Sequence, residues 1–120
     1  MHHAANMPLD HLVILKLKPD ISKQAESALF AAVRSLTLIP GVIDASVGLN
    51  WVPEGAANRG GGFTHGISMR FDKPEALMPY QVHPLHVQAR AVENPHHLGA
   101  RFAATCALFQ LPLIFVIFQR

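Results

Sequence analysis

Eight histidines in a chain of 120 residues are the side chains here best suited to chemistry. Imidazole titrates at about pH 6.5, so near neutrality it can take a proton, return one, or ligate a metal. Spacing decides which of these uses is open. His83 and His86 stand three apart and His96 and His97 are adjacent, yet no cysteine or carboxylate lies at a fixed spacing from them, so the pattern does not make a structural zinc site. His65 falls in an alternating apolar row, Phe63, His65, Ile67, Met69 and Phe71, where an imidazole is either a satisfied core or interface group or a base set in an apolar wall. Cys106 is the single cysteine, so an intrachain disulfide is excluded and a reducing, cytoplasmic compartment is expected. Nothing beside it in sequence would lower its pKa, and it is read as a core thiol.

These residues need elements to hold them. The run His11 to Leu17 is short, partly β-branched and apolar on both faces, as for a strand covered on two sides, and Pro19-Asp20 ends it. Ala25, Ala28, Leu29, Ala32, Val33 and Leu36 recur at helical spacing, with Lys23, Gln24, Ser27 and Arg34 opposite, until Pro40-Gly41. Ala45, Val47, Leu49 and Trp51 alternate with polar residues and predict a second strand; Phe63 to Phe71 predicts a third. The glycine-rich stretch Pro53 to Gly62 between them reads as a flexible connection. Pro74 suits a helix start and Pro79 cuts that helix short, while His83-Pro84 opens another that runs to Glu93, before Asn94-Pro95. Leu111 to Phe118 predicts a fourth strand. Strand, helix, strand, strand, helix, strand is the order of an α+β, ferredoxin-like plan, in which helices cover one face of an antiparallel four-stranded sheet. The other face also needs cover.

Composition agrees with a partner for that face. The chain is long enough for one domain, and 50% of its residues are hydrophobic with only 15% charged, against an ordinary charged share of about 25%. A net charge of +2, with 10 basic and 8 acidic residues, leaves no footprint for nucleic acid. Met1 to Asp10 lacks the basic and apolar regions of a signal peptide and is expected to be a disordered lead-in. Phe102 to Phe118 holds 17 residues without a charge, short enough and interrupted enough, by Gln110 and Pro112, that a membrane anchor is the minor reading.

Three segments together resemble the stress-responsive A/B-barrel domain: His11-Leu-Val-Ile-Leu-Lys-Leu-Lys18, Phe63-Thr-His-Gly66 and Tyr80-Gln-Val-His-Pro-Leu-His-Val87. Ile39-Pro-Gly-Val42 and Gly48-Leu-Asn50 fall where that family has its helix-ending proline and its strand-two glycine. The resemblance covers His11 to Val87. It implies a homodimer in which two sheets pack face to face as a dimeric α+β barrel, with room for a small hydrophobic ligand. The family includes stress-induced plant proteins of unclear activity and a plant polyketide cyclase. In the cyclase-like pattern the matching positions are His11, His65, Tyr80 and His86. The resemblance casts His86 as general base, Tyr80 as its partner or as donor to the oxyanion, and His11 and His65 as positioning groups. Such a set could assist an aldol-type ring closure. Some members hold magnesium through backbone carbonyls, at positions matching Leu36, Ile39 and Val42, and carbonyl oxygen does suit a hard cation.

After Val87 the family pattern is lost, so the domain core is taken as residues 11–93 and residues 94–120 as a divergent ending that supplies the last strand. The leading expectation is a stress-associated homodimeric binding or assembly module without catalysis. The alternatives are a polyketide cyclase-like or lyase-like enzyme and a tail-anchored variant. A cavity of roughly 300 Å³ or more reaching His65 and His86 would mark the enzyme.

Overall fold

A computed structural model describes residues 7–51, 62–99, 101–107 and 114–119. Strand β1 (Leu9–Leu15) leads to helix α1 (Lys23–Arg34), strands β2 (Val42–Leu49) and β3 (His65–Phe71), helices α2 (Leu77–Val82) and α3 (Pro84–Glu93), and strands β4 (Phe102–Ala107) and β5 (Ile114–Gln119). The strands form one antiparallel sheet in the order β2-β3-β1-β4-β5. Its first four strands are the ferredoxin-like unit. β1 begins at Leu9, so Leu9 and Asp10 belong to the sheet and not to a lead-in; the connection read at Pro53 to Gly62 lies, up to residue 61, outside the described residues.

Two elements differ from the sequence expectation. The place beside β1 goes to Phe102–Ala107, in register with His11 opposite Thr105, and the apolar run ending at Phe118 supplies β5, one strand further out. The alanines of Phe102-Ala-Ala-Thr-Cys-Ala107 carry little β-propensity of their own, and pairing with β1 decides their conformation. Among the described residues no helix is long and apolar enough to cross a membrane.

Local chemistry sets the helix ends. The Ser22 hydroxyl accepts from the Ala25 amide at 3.0 Å and caps α1. His83 accepts from the Leu85 amide at 3.1 Å through Nδ1, and Pro84 takes the first helical position of α3, as the His-Pro pair predicts. Gly41 has φ of 90°, and a Cβ there would come within 2.6 Å of the Ala76 Cβ, so the turn into β2 needs glycine.

The pleat sorts the strand residues. Leu9, His11, Leu15, His65, Met69, Phe71 and Ala103 face the helices and are buried, against Leu29 and Val33 of α1, Leu36 and Tyr80. On the opposite face Leu12 and Ile14 stay about two-fifths exposed and, with Phe63, Phe102 and Ala104, line an open apolar groove of about 460 Å³. Arg70 lies on that face too. The hydrogen bonds from its guanidinium to Asp10, at 2.7 and 3.0 Å, push its pKa above the ordinary arginine value, aided by the charges of Asp10 and Asp44. A raised pKa on a cation adds stability below that value and loses it only above, so this pair is insensitive to pH across the physiological range.

Candidate active site

Three of the four site residues expected from the sequence meet between the sheet and the helices. His11 comes from the middle of β1, Tyr80 from α2 and His86 from the first turn of α3. All three line one buried pocket. Val13, Leu15, Leu29, Val33 and Ile67 wall it with apolar surface, and Arg90, Glu93 and Arg101 close its polar end. Its volume is about 40 Å³, room for roughly two or three water molecules.

Each ring is held. His11 is 2% exposed, and its Nδ1 lies 3.1 Å from the Thr105 hydroxyl on β4. Tyr80 packs edge-on against Phe71 and His11, with ring centroids at 5.1 and 6.2 Å, and tilts over His86 at 4.4 Å. His86 Nδ1 is 2.9 Å from the Gln81 carbonyl oxygen. A carbonyl only accepts, so Nδ1 carries the proton, and Nε2 is the basic nitrogen of the neutral ring. The bond also links the end of α2 to the first turn of α3.

His65 is placed elsewhere. Its Nε2 is 2.7 Å from the Glu26 carboxylate on α1 and its Nδ1 is 2.6 Å from the Thr64 hydroxyl, which also accepts from the Leu17 amide at 3.0 Å. Phe30 stacks edge-on against the ring at 5.9 Å. The imidazole ties α1 to the start of β3 and borders a separate open groove of about 330 Å³ with Leu49, Asn50 and Trp51. Among the described residues none of these cavities is lined by both His65 and His86; His86 borders the small buried pocket and, on its outer side, an open groove of about 350 Å³.

Sequence reasoning missed the polar end of the pocket. Arg101 donates through Nε to both carboxylate oxygens of Glu93, at 2.9 and 2.8 Å, and through its guanidinium to the Asn94 side chain. His97 Nδ1 faces the same carboxylate at 2.5 Å. Glu93 is 4% and Arg101 9% exposed, so the charges meet away from water. The one signal was an unmatched glutamate on the inward stripe of α3, four residues after Ala89.

The carbonyls at Leu36 and Ile39 each accept a backbone hydrogen bond inside the turn, from Ile39 and Val42 at 3.1 Å. Each keeps a second lone pair, so the turn has acceptor capacity for a hard cation but brings no carboxylate of its own. Among the described residues no group of three or more His, Cys, Asp or Glu side chains could hold a metal. Histidine and tyrosine against an apolar wall can move protons next to a carbonyl without a metal's help.

The model of the stress-responsive A/B-barrel domain matches residues 9–103. Olivetolic acid cyclase from Cannabis sativa is 29% identical over 82 residues, covering 68% of this chain and 78% of the cyclase. Among solved structures, a dimeric ferredoxin-like protein of unknown function from Thermobifida fusca has a TM-score of 0.69 at 20% identity, covering 86% of this chain and 92% of that one. The hydroxynitrile lyase of Passiflora edulis has a TM-score of 0.69 at 15% identity, covering 96% and 94%. With its sheet order and a family match that runs from β1 through α3 to the start of β4, the chain belongs to the stress-responsive A/B-barrel family.

Proposed function

We propose that the protein is a homodimer whose pocket between sheet and helices carries out acid-base chemistry on a compact carbonyl compound, of the cyclase or lyase class. The observation that carries this reading is the meeting of His11, Tyr80 and His86 in one buried pocket, with the His86 tautomer set by Gln81. His86 Nε2 removes a proton next to the carbonyl. The Tyr80 hydroxyl donates to the oxyanion that develops, and His11, steadied by Thr105, positions the substrate. His65 contributes by bracing α1 on the sheet. The relative named as a cyclase and the fold neighbour named as a hydroxynitrile lyase support a carbonyl-directed reaction. Magnesium, if held at the Leu36 to Val42 turn, would stabilise that turn; no proton transfer above depends on it.

The apolar groove around Leu12 and Ile14 is the surface we assign to the second copy, in line with the fold neighbours described as dimeric. The test of the catalytic reading is turnover of a linear β-polyketone and of a cyanohydrin. His86→Gln and Tyr80→Phe are expected to lower the rate about 10²- to 10⁴-fold, and His65→Ala far less. Full activity in His86→Gln would remove the imidazole from the mechanism.

A second reading has its own observation. The pocket of about 40 Å³ is small for a drug-sized substrate, which favours a stress-associated binding and assembly dimer without turnover. Absence of turnover in the wild type, with the dimer intact, would select it.

A further inference from the structure

The polar end of the buried pocket is built from an ion pair that the proton transfers above do not use. Arg101, 9% exposed, and Glu93, 4% exposed, both line it. The Arg101 Nε donates to the two carboxylate oxygens at 2.9 and 2.8 Å, and Nη2 donates to the Asn94 side chain. A guanidinium carries five N–H donors in a fixed fork. Among the described residues these bonds use two of them, and Nη1 has no acceptor.

Glu93 has the complementary surplus. A carboxylate offers about four lone-pair sites. Oε2 meets Arg101 and faces His97, whereas Oε1 meets Arg101 and no other side chain among the described residues, so Oε1 keeps a lone pair. Unused donors and an unused acceptor thus stand side by side in a buried pocket, where polar groups cost free energy until something completes them. Charge selects against an anion. The Arg101 cation already has its carboxylate, Arg90 at the same end is not free either, and a second anion would lie beside Glu93. A ketone oxygen would satisfy the fork but not Glu93. A hydroxyl accepts with its oxygen and donates with its hydrogen, so it answers both.

We propose that the ligand of this pocket is a compact neutral hydroxy ketone, its carbonyl at His86 and Tyr80 and its hydroxyl between Arg101 and Glu93. This inference rests on the pocket being a small-molecule site, as proposed above, and it adds the chemical class of the ligand. Arg101 and Glu93 act as a binding and selecting pair.

The test uses the full chain and three probes of similar size: 4-hydroxybutan-2-one, pentan-2-one, in which a methyl replaces the hydroxyl, and butanoate. Affinities come from shifts of the β1 and α3 amide resonances. The hydroxy ketone is expected to bind at least about tenfold more tightly than pentan-2-one, which leaves the buried polar groups unpaired, and butanoate is expected to bind most weakly. The Arg101 Nε–H resonance should shift with the hydroxy ketone and stay in place with pentan-2-one. Arg101→Lys, which keeps the charge and loses the fork, should lose most of the preference. The double variant Glu93→Met, Arg101→Met should bind pentan-2-one at least as well as the hydroxy ketone, with circular dichroism unchanged. Should neither variant fold, the wild-type affinity ratio and the Arg101 resonance decide. Equal affinity for the two ketones, tightest binding of butanoate, or a preference that survives the double variant overturns the inference and leaves the pocket proposal standing; no binding of either ketone overturns both. A preference that depends on Arg101, in a protein with no turnover, sinks the acid-base reading and sustains this one.

Discussion

Replacing Glu93 by alanine removes the acceptor of a buried cation and leaves Arg101, 9% exposed, without its carboxylate. Breaking one side of a buried ion pair typically costs about 3 to 5 kcal/mol, because the remaining charge keeps its desolvation penalty and loses its attraction. Here the upper half of that range applies, since the same carboxylate also faces His97 at 2.5 Å. Against a total stability of about 5 to 15 kcal/mol for a domain, that loss lowers the melting temperature on the order of 10 to 20 °C. Urea unfolding with the slope held constant is the assay, and the midpoint should fall by about 2 M. The companion experiment is the double variant Glu93→Met, Arg101→Met, which removes both charges and keeps most of the volume. It should be more stable than Glu93→Ala, because a buried pair is worth little over an apolar pair although either half alone is costly. A loss below about 1 kcal/mol in Glu93→Ala, or a double variant as unstable as the sum of its singles, would refute the reasoning.

Other expectations follow from single contacts. Leu12→Glu places a charge in the apolar groove of the sheet face and should convert the proposed dimer to a monomer in light scattering, with circular dichroism unchanged. Thr105→Val takes a hydrogen-bond partner from the buried His11 Nδ1 and should cost about 1 to 3 kcal/mol in urea unfolding. Ser22→Ala removes the cap of α1 and should cost about 1 kcal/mol, without effect on ligand binding, since Ser22 lies outside the pocket lining.

What the sequence made legible follows the physics of local pattern. α1 was readable because Leu29 and Val33 recur on a stripe that the core then buries, and α3 because His83-Pro84 is both a cap and a first-turn proline. β3 was readable from strict alternation through Met69 and Phe71. The ending was harder. Ala103-Ala104-Thr105-Cys106-Ala107 has little bulk and, Thr105 apart, no branching, and it becomes a strand because β1 offers an open edge in register. The denser run to Phe118 attracted the strand assignment for the fourth place and takes the fifth.

The site divides the same way. His11, Tyr80 and His86 were identified by resemblance, and topology brings them together. His65 belongs to the same resemblance but finds Glu26, 39 positions away at the start of the core-facing stripe of α1, a partner that no spacing rule predicts. Glu93 and Arg101 lie beyond Val87, where the motifs legible in the sequence end, although the family match runs on to residue 103, and their pairing depends on the turn that carries the chain from α3 into β4.

The most direct test of the proposed chemistry is proton exchange at carbon. In D₂O at neutral pH, a small ketone such as pentan-2-one exchanges the hydrogens next to its carbonyl for deuterium, and proton NMR follows the loss of signal. With His86 Nε2 as base and Tyr80 as donor, the wild-type protein should accelerate this exchange well above buffer, and His86→Gln should return the rate to within about tenfold of background. Equal rates with wild type, with His86→Gln and with buffer alone would contradict the account.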